Sequence, residues 1–234
     1  MNMDEMKRFW VEFVEGKIDV PEMLLWTEEK PELLDWLTSI ADPKFKTYTT
    51  QKETDEGFYS IHTPIEHPFD AKLQIQVYVY EGQGGGGSKL GRYLNIHGYF
   101  SRVITTAFPD DGIVVDKTLS EKHMFMLDAC PQYIGGHEVD HLLDELLEEI
   151  PEGLSKTKRA KMYKEKVKAL FHVTGKKFPY WIQEAEWPIS PTGKPMRFLE
   201  QKRKKGKAYA ATLYTQFVFE DVDTGEIRVI DQFT

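Results

Sequence analysis

The sequence predicts an α+β fold: an N-terminal helical region, a central mostly antiparallel sheet, a helical hairpin and a C-terminal β-hairpin module. Three patterns carry that reading. Apolar residues recur at three- and four-residue steps over 3–40 and again over 137–171. They alternate with polar or aromatic residues over 73–80 and over 213–233. Turn residues separate the runs, which places segments as residues 1–43 (helical), 44–132 (β-rich) and 133–234 (helical hairpin plus a Trp/Pro-rich β module).

The first helix is expected over 3–15, with Met6, Phe9, Trp10, Phe13 and Val14 on one face. Pro21 can open a second helix through Leu24, Leu25 and Trp26. Pro31 can open a third, with Leu33, Leu34, Trp36, Leu37 and Ile40, ended by Asp42-Pro43. Leu73, Ile75, Val77 and Val79 predict a half-buried strand. Further strands are expected over Tyr93–Phe100 and Gly112–Val115. Gly82-Gln83-Gly84-Gly85-Gly86-Gly87-Ser88 reads as a flexible connection, like an engineered linker, and holds no rigid site.

A helix over 137–150 would bury Val139, Leu142, Leu143, Leu146, Leu147 and Ile150 before Pro151-Glu152-Gly153 stops it. Ser155 can cap a basic helix with Ala160, Tyr163, Val167, Leu170 and Phe171 inward. Asp144, Glu145, Glu148 and Glu149 on the first would face Lys158, Lys161, Lys164 and Lys168 on the second as ion pairs. The chain closes on strands Leu213–Phe219 and Ile227–Phe233, joined by a turn in which Gly225 can take the left-handed position.

A globular balance of 41% hydrophobic and 29% charged residues allows a substantial core, and no apolar run reaches bilayer length. The N-terminus lacks the basic start and apolar core of a signal peptide, so a cytoplasmic protein without a membrane partner is expected. The single Cys130 excludes an intramolecular disulfide framework and reads as a buried small residue. Net charge is −8, split as −15 over residues 1–150 and +7 over 151–234. That asymmetry suits partners of either sign, or neutralisation within the fold.

No catalytic constellation and no cofactor motif stands out. His97 falls in an expected strand with no serine or cysteine to pair with it. His137-Glu138-Val139-Asp140-His141 does match H-E-x-x-H, which on a helix aligns two imidazoles to hold zinc while the glutamate activates water. Asp140 is unusual for such a motif, and the helical wheel sets His137 and His141 opposite the apolar face. The pair is therefore read as an adventitious metal candidate, with a zinc-dependent hydrolase as the alternative function. Lys202-Arg203-Lys204-Lys205-Gly206-Lys207, in an expected hairpin connection with Tyr209 and Tyr214 nearby, supports a second alternative, nucleic-acid binding. Asp221, Asp223 and Glu226 are too few and too close to a strand for a calcium loop. Trp181 and Trp187, restrained by Pro179 and Pro188, are expected to anchor the C-terminal module.

Several segments carry a resemblance: Phe9-Trp10 through Leu34-Asp35-Trp36-Leu37, Tyr133-Ile134-Gly135-Gly136, Gly153-Leu154-Ser155-Lys156-Thr157-Lys158, Phe178-Pro179-Tyr180-Trp181-Ile182-Gln183, Glu186-Trp187-Pro188, Gly193-Lys194-Pro195-Met196 and Phe219–Glu226. Together they resemble uncharacterised bacterial immunity or antitoxin-like proteins. More distantly, Trp-Ile-Gln, Trp-Pro, Gly-Lys-Pro-Met and Phe-Leu-x-Gln are similar to the YwqG-like family of unknown function. Relatives often carry a cysteine pair where this chain has Ile189-Ser190-Pro191-Thr192-Gly193, so no zinc knuckle is implied. The resemblance implies a non-enzymatic protein-interaction module whose partner is a basic toxin. The acids expected to meet it are Glu28, Glu29, Asp55 and Glu56.

Overall fold

The computed structural model describes residues 1–52, 62–81, 88–205 and 213–233. Among them are eight α-helices, a π-helical turn and five strands in two antiparallel sheets, an α+β fold. The described residues pack as two units, 1–81 with 90–121 and 88–89 with 122–233. Of the expected β-rich stretch, the described residues 44–52, 62–81 and 90–121 thus pack with the N-terminal helices.

In the first unit, α1 (Met3–Val14) starts at a capping box. The Glu5 N–H donates to the Asn2 side chain at 2.9 Å, and the Glu5 carboxylate accepts from the Asn2 N–H at 2.9 Å. α2 (Val20–Glu29) starts at Asp19, whose carboxylate accepts from the Glu22 N–H at 2.8 Å; Pro21 sits in the first turn, where its missing N–H costs nothing. α3 (Glu32–Ile40) follows Pro31. These helices bury a shared aromatic centre. Trp10 is 0% exposed and donates its indole N–H to the Leu33 carbonyl at 3.1 Å. Its ring meets Phe13 and Phe100 edge-on, at 5.7 and 5.4 Å between centroids.

The central region departs from expectation. Its sheet has two strands, β1 (Lys46–Lys52) and β2 (His62–Pro68), paired antiparallel from Lys46↔Pro68 to Lys52↔His62. The expected strand at 73–80 is instead α4 (Ala71–Ile75) running into a π-helical turn (Gln76–Tyr80). Asp70 caps α4 by accepting from the Leu73 N–H at 2.9 Å. Ile75, Val77 and Val79 are buried by the wider turn, and Gln74, placed outward by the strand reading, is buried too. The expected strand at 93–100 lies inside α5 (Lys89–Ala107). Buried Ile96, His97, Phe100, Ser101, Val103 and Ile104 follow a helical step once the window extends past Phe100. Gly112–Val115 forms no strand. Val114 and Val115 are exposed, and Asp116 ties the segment back through its N–H to the Val14 carbonyl at 2.9 Å.

α6 (Thr118–Ala129) crosses the unit boundary. In the second unit, α7 (Asp140–Glu148) is shorter than expected, with Leu143 and Leu147 inward. α8 (Lys156–Leu170) begins after Ser155, whose side chain makes no capping bond. The two helices meet through Tyr163, fully buried, whose hydroxyl donates to the Leu143 carbonyl at 3.1 Å. The expected lattice of cross-helix ion pairs reduces to Lys166 with Glu149, among the described residues. Lys161 pairs within its own helix, with Glu165 at 3.9 Å. Asp144, expected on the solvated face, is 8% exposed and accepts from the Ser88 hydroxyl at 2.9 Å.

The C-terminal sheet has the order β3 (Arg197–Lys205), β4 (Leu213–Glu220), β5 (Ile227–Phe233). Phe198, Phe217 and Phe219 are buried in this unit's core. The β4–β5 turn holds Gly225 at φ +76°. Asp221 accepts there from the Asp223 N–H at 2.9 Å and from the Thr224 hydroxyl at 2.8 Å, bonds that hold its carboxyl below the usual range. These carboxylate bonds close a hairpin.

Candidate functional site: an apolar and acidic surface on the first unit

The H-E-x-x-H residues do not share a helical face, because α7 starts only at Asp140 and His137 lies in the preceding turn. His137 and His141 are exposed. Glu138 is held by Arg228 through two bonds of 2.9 and 3.0 Å, and it accepts from the Ile189 N–H at 3.1 Å. The Arg228 guanidinium first, and the Ile189 amide after it, hold the Glu138 carboxyl below its ordinary range. A carboxylate so engaged latches strand to turn, and taking a proton from water would cost it those bonds. Among the described residues no three His, Cys, Asp or Glu side chains cluster as metal ligands.

The basic cluster is not a hairpin connection where it is described. Lys202–Lys205 lie in β3, and Lys202 pairs with Glu200 at 2.6 Å. Gly206, Lys207 and Tyr209 lie outside the described residues. Burial pushes the Cys130 thiol up to about 12, with Asp140 adding to it, which disfavours the thiolate.

His97 sits on α5, not in a strand, and is 5% exposed. Its ring lies 5.1 Å from Phe13, and its Nε2 has no hydrogen-bond partner among the described residues. Burial lowers its pKa; the Phe13 and Val14 carbonyls and the Asp116 carboxylate pull the other way without overcoming it. The unfolded imidazole therefore takes a proton more readily than the folded one. Stability is full above the unfolded value of about 6.5 and is lost as pH falls from there towards the lower folded value. Melting temperatures at pH 7.5 and 5.5 should show a drop that shrinks in His97→Gln. An equal drop in both proteins would contradict this assignment.

The Trp/Pro segment is interior. Trp187 is 1% exposed, donates its indole N–H to the Met196 carbonyl at 2.8 Å, and meets Phe171 and Phe219 at 5.2 and 5.4 Å. Trp181 is half-buried, donates to the Tyr133 carbonyl at 2.9 Å, and lies 4.5 Å from Phe217. Pro179 and Pro188 are buried, and the Pro188 carbonyl accepts from the Met196 N–H at 3.0 Å.

The surface with interface character is on α2. Leu25 is 63% exposed, with Glu22, Glu28 and Glu29 one turn before and after it. Tyr80, 55% exposed, lies beside Glu28; burial first, and then that carboxylate, raise its phenol above the ordinary value. Glu29 makes no ion pair among the described residues, and the nearby Lys30 ammonium sits 4.0 Å over the Trp26 ring. Glu22 accepts from the Trp26 indole N–H one turn further along α2, at 3.4 Å. Exposed Leu25 and Tyr80 thus share this part of the first unit with the exposed carboxylates of Glu22, Glu28 and Glu29. Charge alone pointed to Glu28 and Glu29. The sequence places Leu25 in the same apolar run as Leu24 and Trp26, and only its position on the outer side of α2 separates it from Leu24. Asp55 and Glu56 lie outside the described residues.

The described residues contain no helix long and apolar enough to cross a membrane. Compared with family models, curated proteins and solved structures, the chain finds no match.

Proposed function

We propose that this chain is a non-enzymatic, cytoplasmic protein-interaction module of a bacterium: an immunity protein that neutralises a basic toxin by direct binding. The observation that carries the reading is the Leu25–Tyr80 surface with Glu22, Glu28 and Glu29 around it. The resemblance to immunity proteins and the charge of −15 over residues 1–150 support it. An opposite field speeds encounter, and a desolvated leucine slows departure. The test is co-expression with toxins encoded beside the gene. Survival is expected with the native chain and is expected to be lost with Leu25→Asp, an exposed change that leaves the core alone. If no neighbouring toxin is neutralised, or Leu25→Asp protects as well as the native chain, the reading fails.

A further inference from the structure

A second surface feature of the first unit has the opposite charge. A cleft of about 430 Å3 opens between β1, with the residues leading into it, and one face of α5. Lys44, Lys46 and Arg102 line it together with Tyr48, Tyr99 and Thr106, and none of its lining residues is acidic. Three positive groups thus line it on a chain of net charge −8, with the carboxylates of Asp42 and Glu66 just outside the lining. Its volume falls within the range that accommodates small organic ligands.

The cleft is built around Tyr99. The phenol accepts from the Lys46 N–H at 3.1 Å and donates to the Lys46 carbonyl, so it fastens β1 to α5. One face of its ring packs near Phe69, at 5.8 Å and nearly parallel. Arg102, one turn further along α5, sets its guanidinium 5.0 Å from the Tyr99 centroid. It makes no ion pair among the described residues, so the ring orients the fork while its N–H edges stay available. The two lysines are held only loosely: Lys44 lies 3.7 Å from Asp42, and Lys46 lies 3.6 Å from Glu66. Exposed pairs of that length are worth about 0–1 kcal/mol and are readily exchanged. Tyr48 is half-exposed, with its hydroxyl donating to Glu66 at 3.3 Å.

We propose that this cleft binds a small phosphate ester bearing a planar ring, of the class of a nucleoside monophosphate. The Arg102 fork takes two phosphate oxygens, Lys44 and Lys46 add point charge, and the open face of Tyr48 receives the ring. The site is separate from the acidic surface on α2 and does not depend on the role assigned to it.

Calorimetric titration of the full chain with AMP, inorganic phosphate and adenosine tests the proposal. AMP should bind more tightly than phosphate, by about tenfold if one ring stacks, and adenosine should bind least. Arg102→Gln should weaken both phosphate-bearing probes by about tenfold or more, the cost of a charge-assisted bond. Tyr48→Ala should weaken AMP while leaving phosphate unchanged. Melting curves establish that each variant folds; if Arg102→Gln does not, Lys44→Gln and Lys46→Gln, both at the cleft rim, carry the same prediction. The proposal is overturned if the native chain binds neither AMP nor phosphate, if adenosine binds as well as AMP, or if the charge-removing variants leave AMP affinity unchanged.

Discussion

Replacing Trp187 by alanine is expected to lower stability by about 3–5 kcal/mol, the usual range for emptying the place of a large buried aromatic. Three losses combine. The indole is 1% exposed, so its whole surface is apolar burial. Its edge contacts with Phe171 and Phe219 join α8 to the C-terminal sheet within the second unit. Its N–H satisfies the Met196 carbonyl, which alanine would leave without that donor. Urea unfolding of Trp187→Ala and Trp187→Phe separates these. The phenylalanine variant should recover most of the packing but not the hydrogen bond, and so fall between the two. A Trp187→Ala midpoint within error of the native one would show that the ring is not a structural anchor.

Gly136→Ala is the second large expected effect. Gly136 has φ +121°, a backbone region that side chains disfavour by about 1–3 kcal/mol. A Cβ there would come within 2.9 Å of the Ala185 carbonyl oxygen and 3.3 Å of the Trp187 nitrogen. Both are backbone atoms, so neither can swing aside. The contact is held from the neighbouring residue, since the Trp187 N–H donates to the Gly135 carbonyl at 3.0 Å. The added methyl must therefore move the segment that seats Trp187. Destabilisation of at least the strain value of about 1–3 kcal/mol is expected, with loss of tryptophan near-ultraviolet ellipticity at temperatures where the native chain is folded. Gly153→Ala is the control, because a Cβ there meets nothing within 4 Å. Equal unfolding midpoints for the two variants would contradict the close approach.

The parts of the fold legible in the sequence are those where local and tertiary signals agree. In α1 to α3, apolar spacing, Asp19 and the two prolines all point to helices, and the same spacing supplies the core. The β4–β5 hairpin is legible because alternation and Gly225 agree. The errors arise where one pattern fits two periods. Leu73, Ile75, Val77 and Val79 alternate, yet α4 and the π-helical turn that follows it bury Ile75, Val77 and Val79 without a sheet. The competing signal was Asp70, a good cap three residues before Leu73. The strand expected over Tyr93–Phe100 lies in α5, where Ile96, His97 and Phe100 are buried, and packing of His97 and Phe100 against α1 outweighs any local strand preference. β3 was hidden by its composition. A run rich in lysine and arginine reads as a solvated turn, whereas its pairing with β4 makes it a strand in which Lys202 and Arg203 stay exposed. At the candidate surface, Glu28 and Glu29 were expected from charge, and the structure exposes both. The exposure of Leu25 was not, since a one-residue change in helical phase separates an exposed leucine from a core one.

The claim at the centre of this account is that the α2 surface binds a basic protein. Its most direct measurement is quantitative affinity capture from the native host, run in parallel with the native chain, Leu25→Asp and the pair Glu28→Lys with Glu29→Lys, at low and high salt. The account predicts one basic protein, encoded nearby, that is retained by the native chain, weakened by salt and lost with both variants. Retention of that protein by both variants, or binding insensitive to salt, would contradict it.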